Sequence, residues 1–338
     1  MTFIKKLNRK LLLPLIRKTK LSEQISRFSN NQNLILNYHG VVKNFDLELS
    51  KNHLPISQFE EQMVYFKKNF EILSLEEIFR HKGKRDNPTK IKNLSVTFDD
   101  GYLNNFENAY PILKSLNIPA TIFVTGQSIT NPTLPLWYDL LDILNSQIKW
   151  QDLRSELQPL FLQIQDLSLF NDYSSFKNFI KTTNPSTKNK LLTILETSPI
   201  IKNTFQNCNK EYWQLMNTDH LKSITECKLI EIGSHGVTHS NLDNLNEPDL
   251  INEVKESEIM LKKAIGKEIN SIAFPDGAYN ERVKSECRLI YKRLLAVNLK
   301  NENEKKQLDI LPRLSISNTT TTDSIIVSTN LSFSKIGF

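Results

Sequence analysis

Glycine is scarce in this chain: nine residues in 338, against a usual share of roughly 7%. Where it does occur is therefore informative. Cysteine is scarce too. Cys208, Cys227 and Cys287 lie far apart, cannot all pair and form no CxxC, which argues against a disulfide scaffold and against a thiolate metal or redox pair. Long apolar runs are also missing. The first residues, MTFIKKLNRKLLLPLIRKTKLSEQ, start basic, but the apolar stretch from Leu11 to Ile16 contains Pro14 and ends at Arg17 and Lys18. A secretory signal needs roughly 7–15 apolar residues and a membrane-spanning helix about 20. The expectation is a basic lead-in over residues 1–33, a cytoplasmic location, and at most peripheral contact with an anionic membrane face. Charge of a single sign is lacking as well: 43 Lys+Arg face 37 Asp+Glu, for a net +6. Both signs are dispersed, so no basic stripe supports nucleic-acid binding. With 39% hydrophobic residues, a chain of this length buries a sizeable core in one large domain or two ordinary ones, and fibrous or disordered classes are excluded for most of it.

What is present is an alternation of strands and helices. Apolar or β-branched runs at 34–38, 70–73, 94–98, 120–125, 229–233, 271–274, 293–299 and 308–316 read as strands. Helical patterns separate them. One starts at Ser57, with Ser57 and Glu60 at capping-box spacing; a second box, Ser74 and Glu77, opens a helix to about His81. Others run to about Leu116, over 249–265 and from about Asn280 to Lys292. The Lys-rich stretch through Lys92 reads as a loop, as does 300–306. The alternation predicts an α/β parallel sheet or barrel with helices outside. Residues 131–225 break the rhythm: they contain no glycine, and WYDLLDIL and LLTILE have helical spacing. They predict a mostly helical insertion dividing the α/β domain into 34–130 and 226–320, with a tail at 321–338.

The ends of these strands carry the polar chemistry. In parallel sheets and barrels, active-site groups gather there. One strand ends in His39, the next in Asp99-Asp100-Gly101, another in Gly233-Ser234-His235-Gly236-Val237-Thr238-His239, another in Pro275-Asp276-Gly277. Adjacent strand residues point to opposite faces, so two acids serve one pocket only where the strand gives way to a turn, which Gly101 allows. His235 and His239 are four apart, the separation at which side chains meet on one face of a helical turn. Two imidazoles and one carboxylate leave an open coordination position, as in catalytic zinc sites. Each pattern alone also suits an ordinary turn or a satisfied histidine; together they favour a metal. Six of the nine glycines, at 40, 101, 126, 233, 236 and 277, lie in or beside these segments.

NYHG at 37–40, TFDDG at 97–101, TIFVTG at 121–126, GSHGVTH at 233–239 and AFPDGAYN at 273–280 together resemble the NodB-type polysaccharide deacetylases, metal-dependent enzymes that remove acetyl groups from amino sugars in glycans. The resemblance covers about 34 to 316, interrupted by the insertion. It implies a distorted (β/α) barrel. It also implies Asp99 as general base, with Asp100, His235 and His239 on one divalent ion, for which zinc suits the ligand set. Pro275, Asp276 and Tyr279 would form the oxyanion and substrate-binding segment, the backbone N–H of Asp276 being the oxyanion donor. The implied activity is metal-dependent removal of acetyl groups from N-acetylated sugars of a polysaccharide or lipid-linked glycan. The alternatives are an O-acetyl esterase or a glycan-binding relative with little catalysis.

The chain departs from the family pattern in four places. Ala273 stands where many members carry an arginine that holds the catalytic aspartate, and Asp276 where an aromatic residue is usual. Gly236 replaces a common Ser or Thr, at the expected loss of one supporting hydrogen bond but no ligand. No histidine follows His239 to fill the family's late Leu-x-His motif. Two expectations follow: Arg313, in LPRLSIS, supplies the missing guanidinium to Asp99, and His39 protonates the departing amine. His53, His81 and His220 are expected on the surface or in loops, and Trp137 and Tyr138 are expected in packing rather than stacked on a sugar.

Overall fold

The computed structural model describes residues 33–46, 49, 52–81, 93–162, 165–206, 208–299, 309–318 and 320. Its strands, in chain order, are β1 (Asn33–Tyr38), β2 (Gly40–Val42), β3 (His53–Pro55), β4 (Glu71–Ile72), β5 (Asn93–Phe98), β6 (Ala120–Val124), β7 (Ile230–Ser234), β8 (Ser271–Ala273), β9 (Arg293–Ala296), β10 (Ile310–Pro312) and β11 (Leu314–Ser315). The main sheet runs β10-β9-β8-β7-β6-β5-β1-β11, with β4 added beside β5. All of its pairs are parallel. Arg313 alone separates β10 from β11, so one short segment pairs with β9 through its first half and with β1 through its second. The sheet thereby returns on itself as a nearly closed parallel barrel, the fold that the motifs imply.

Both faces of these strands are covered, which is why they read as near-continuous apolar runs. Leu36, Tyr38, Val96, Phe98, Ile122, Val124, Ile232 and Ile272 point outward into the main core. There they meet Phe59, Met63 and Phe66 of helix α1 (Ile56–Asn69). The alternate residues Ile35, Phe123, Ala273, Leu295 and Leu311 fill the barrel interior, joined by Leu75, Ile78 and Phe79 of α2 (Leu75–His81). Truncating one of these buried phenylalanines to alanine costs about 3–5 kcal/mol.

α3 (Tyr110–Ser115) and α4 (Gln127–Thr130) flank β6 in sequence. The helical insertion then supplies α5 (Trp137–Gln147), α6 (Trp150–Phe161), α7 (Tyr173–Thr182), α8 (Pro185–Thr197) and α9 (Pro199–Gln206). These build a core of their own around Leu144, Leu153, Phe161, Phe176, Leu191 and Leu195. α10 (Thr218–Glu226) falls within the expected insertion but packs Leu221 and Ile224 into the barrel's core. α11 (Glu247–Ile251), α12 (Ser257–Ile265) and α13 (Glu281–Arg288) complete the outer layer.

Local signals fared unevenly. The Ser74–Glu77 box forms, with the Ser74 N–H donating to Glu77 at 2.8 Å and the Glu77 N–H to Ser74 Oγ at 3.3 Å. The Ser57–Glu60 box does not: α1 begins one residue earlier, behind Pro55, with no side-chain cap. The helix expected over 249–265 is interrupted by a π-helical turn at Asn252–Glu256. The basic lead-in with its expected membrane contact, the Lys-rich loop and the C-terminal tail lie outside the described residues. No helix among the described residues is long and apolar enough to cross a membrane.

Candidate metal centre

Asp99 follows β5 directly, on the inward side established by Ser95 and Thr97. Arg313, between β10 and β11, reaches it from across the barrel: Nη1 donates to Oδ1 at 2.6 Å and Nη2 to Oδ2 at 2.8 Å. Asn37 joins them, donating to Asp99 at 3.0 Å and accepting from Arg313 at 3.1 Å. The guanidinium lies 5.3 Å over the Phe123 ring. That ring has room because position 233 is glycine; a Cβ there would stand 2.5 Å from it. Burial alone would raise the pKa of Asp99, but the charge of Arg313, backed by His235 and by the Arg313 hydrogen bonds, holds it well below the usual carboxylate range. Asp99 is thus ionised and fixed in orientation. Ala273 is inward-facing and fully buried, and the guanidinium missing from it arrives from Arg313 instead.

Asp100 takes the turn that leaves the strand, with φ 74, and Gly101 follows with φ 77. Its Oδ1 lies 3.6 Å from His235 Nε2 and 3.5 Å from His239 Nε2. One ligand atom from each of these three buried residues falls within 4.8 Å of the others. Neither carboxylate oxygen of Asp100 has a hydrogen-bond partner among the described residues. Burial, reinforced by the charge of Asp99, pushes its pKa up to about 8; the nearby Tyr138 and Tyr102 hydroxyls hold the rise back only in part. His235 Nδ1 sits 2.8 Å from the Ala273 carbonyl oxygen, which can only accept. Nδ1 therefore carries the proton and Nε2 is left as a ligand. A buried, unpaired carboxylate beside two imidazole nitrogens fits a divalent cation.

The two histidines do not meet on a helical turn as their spacing suggested. They flank a loop whose direction is set by Gly236 at φ 77 and His239 at φ 54. Glu253, in the π-helical turn, holds that loop. It accepts from the Val237 N–H at 2.8 Å and the Thr238 N–H at 3.1 Å, and from the Thr238 hydroxyl. A Cβ at position 236 would lie 2.9 Å from Glu253 Oε2, so the glycine admits the carboxylate that braces the loop.

The remaining expected residues separate. Asp276 lies at the site with φ 55, behind Pro275, and its carboxylate pairs with Lys181 Nζ of α7 at 3.2 Å. His39 lies close enough to Asp99, Arg313, His235 and Asp276 to feel their charges. Burial, opposed first by Asp99, lowers its pKa to about 4, and its Nδ1 has no partner among the described residues. Tyr279 departs from expectation: it is fully buried, stacked on Phe274 at 5.1 Å in the main core, a packing residue rather than a substrate contact. His53 is likewise no surface residue. It is fully buried between the rings of Tyr102 and Tyr212, at 4.9 and 5.2 Å, in space left by Gly40. His220 helps cap α10 through Asn217.

Several residues of the site escaped the sequence reading. Asn37 lies two before His39, hence on the same strand face, a signal that was available. Glu253 and the insertion's Lys181 and Lys188 gave none. Lys188 is almost wholly buried, its Nζ 5.0 Å over the Trp137 ring. Burial lowers its pKa to about 8, with Glu253 and Asp276 opposing. Trp137 and Tyr138 do pack, but against the site: Trp137 Nε1 donates to the His239 carbonyl at 3.2 Å, and the Tyr138 ring lies 4.7 Å from the His239 imidazole. Tyr102 donates to the buried Asp139 at 2.8 Å beneath them.

The parallel barrel thus carries, at its strand ends, an arginine-held aspartate beside an Asp-His-His cluster whose donor set suits a divalent cation. The polysaccharide deacetylase family model matches residues 86–157 and 170–292, more than half of the chain, which belongs to that family. A Staphylococcus aureus poly-beta-1,6-N-acetyl-D-glucosamine N-deacetylase is 36% identical over 110 residues, covering 29% of this chain and 37% of the relative. The chain thus spans about a third of the length of the curated relatives it matches. Among solved structures, the Streptococcus pyogenes deacetylase PplD, in complex with acetate, superposes with a TM-score of 0.55 at 19% identity, over 88% of this chain and 98% of that one. IcaB from Ammonifex degensii gives 0.56 at 14% identity, over 89% and 97%. These two share the fold.

Proposed function

We propose that this protein hydrolyses the N-acetyl groups of an amino-sugar polymer or lipid-linked glycan. The observation that carries the reading is the juxtaposition of two adjacent aspartates in opposite electrostatic states. Asp99 is ionised by a bidentate arginine, and Asp100 is buried without a partner beside two histidines. Asp100, His235 and His239 would hold one divalent cation, which when bound supplies Lewis-acid polarisation of the acetyl carbonyl and a more acidic water. Asp99 accepts the proton of the attacking water, its carboxylate oriented by Arg313 and Asn37. The backbone N–H of Asp276 donates to the developing oxyanion. The proton taken by Asp99 goes to the departing nitrogen with His39 as relay. His39 is neutral at rest, since its lowered pKa lies well below neutrality, so it must receive a proton before it can give one. The N-acetylglucosamine polymer named for the S. aureus relative is the first substrate to try.

The test is acetate release from matched N- and O-acetylated oligosaccharides, with metal removed by chelation and then restored. Release from the N-acetylated set that needs the metal and disappears in Asp99→Asn is the expected result. Release confined to O-acetyl groups would move the protein to the esterase reading, and glycan binding without any release would reject catalysis.

A further inference from the structure

The two metal-ligand histidines are held in different ways. His235 has its Nδ1 fixed by the Ala273 carbonyl, the kind of bond that ordinarily sets the ring and tautomer of a ligating histidine. His239 has none: its Nδ1 is buried with no hydrogen-bond partner among the described residues. Its backbone also sits at φ 54, a region that a non-glycine residue keeps only where its surroundings impose it. Those surroundings come from the helical insertion. Trp137, at the start of α5, donates its indole N–H to the His239 carbonyl across 102 positions of sequence. Tyr138 lays its ring against the imidazole, tilted by 58°. Lys188 of α8 backs the indole and reaches Ser240 Oγ, one residue beyond the ligand, at 3.4 Å.

We infer that the helical insertion is part of the metal centre, with Trp137 and Tyr138 as positioning residues that set His239 for coordination. The inference rests on the reading of Asp100, His235 and His239 as metal ligands. It assigns the insertion a task separate from any contact with the glycan: a backbone bond and a ring contact stand in for the absent bond at Nδ1, so removing either loosens the ligand. Mere packing makes a different prediction, because replacing an indole with another buried ring would then alter melting behaviour and leave coordination alone.

The full chain, stripped of metal, is titrated with Zn2+ in competition with a chromophoric chelator, and with Co2+ followed by its visible absorption. Trp137→Phe keeps a ring and removes the N–H; Tyr138→Leu keeps most of the volume and removes the ring. Each is expected to weaken metal binding about tenfold and to alter the Co2+ spectrum, while the apo protein melts close to wild type. Folded variants that bind both ions within twofold of wild type, with unchanged spectra, overturn the inference. Should Trp137→Phe fail to fold, Tyr138→Leu decides on the same criterion. His239→Ala tests the underlying reading independently. If the wild type takes up no stoichiometric ion, or His239→Ala binds as the wild type does, the ligand assignment falls and the inference falls with it.

Discussion

Replacing Arg313 with methionine keeps an apolar stem at that position and removes the guanidinium from Asp99 and from over the Phe123 ring. Two short charge-assisted bonds, 2.6 and 2.8 Å, disappear, and a carboxylate that is 4% exposed keeps only Asn37 and the neighbouring histidines. Breaking a buried pair by deleting one partner costs about 3–5 kcal/mol, which for a chain of this size is a fall in melting temperature of about 4–7 °C. The loss has a sign in pH. In the wild type, Asp99 has a depressed pKa, so its contribution is complete above its unfolded value of about 4 and is lost only as pH falls through the folded value. In Arg313→Met, burial goes unopposed by the guanidinium, the pKa rises above the unfolded value, and the penalty grows as pH rises through it. The gap between wild-type and variant melting temperatures should therefore widen as pH rises from about 4 to above neutrality, and keep narrowing as pH falls below about 4 toward the depressed folded value. Asp99→Asn combined with Arg313→Met removes the stranded charge, so the double variant should recover much of the stability and none of the acetate release. Calorimetry across that pH range, with acetate release on the same samples, makes the measurement. An Arg313→Met variant that melts like wild type at neutral pH, or Arg313→Ala with full activity, would refute the argument.

Other consequences can be checked more simply. Gly233→Ala drives a methyl into the Phe123 ring and should destabilise the protein by about 1–3 kcal/mol in denaturant melts, with part of the loss seen as weakened acetate release, because that ring underlies Arg313. Gly236→Ser meets both a positive φ and the Glu253 carboxylate. It should cost about 1–3 kcal/mol and weaken metal uptake, whereas an unchanged melt would mean that the loop yields. His53 is held neutral by burial, its pKa lowered to about 3, so the stability it supports is present above its unfolded pKa of about 6.5 and drains away as pH falls toward 3. One such group contributes a slope of about 1.4 kcal/mol per pH unit. His53→Gln should flatten the acid limb of the stability curve of metal-free protein by about that slope, and an unaltered limb would place the acid sensitivity elsewhere.

The strands of the main sheet were legible because most are covered on both faces and so read as unbroken apolar runs, with observed and expected boundaries differing by no more than three residues, whereas the short pair β2 and β3 was not read at all. The candidate ligands were legible for another reason: short-range motifs at strand ends concentrate glycine and polar groups together. What failed was whatever depends on contact between distant segments. The four-residue spacing of His235 and His239 suggested a helical turn, but the geometry comes from two positive-φ residues braced by Glu253. Ser57 had the right partner for a cap, yet the chain began the helix at Ile56. Tyr279 belonged to a recognisable motif, yet its ring stacks on Phe274 in the main core. Trp137 and Tyr138 looked like the apolar start of a helix, which they are, and nothing local to them disclosed that they pack against the loop carrying His239.

Arg313 is also where the barrel closes, between strands of three and two residues. Its backbone N–H donates to the Ala296 carbonyl at 2.9 Å while the Ile316 N–H reaches Asn37 at 2.8 Å, so the same few residues stitch β9 to β1 and set the charge on Asp99. Short seams of this kind are where local opening is cheapest. A fluctuation that unzips this one would leave the helices and the insertion's own core standing yet release the guanidinium from its carboxylate. Heat or mild denaturant should then silence the protein before it unfolds, and amide exchange at Arg313 and Ile316 should keep time with the loss.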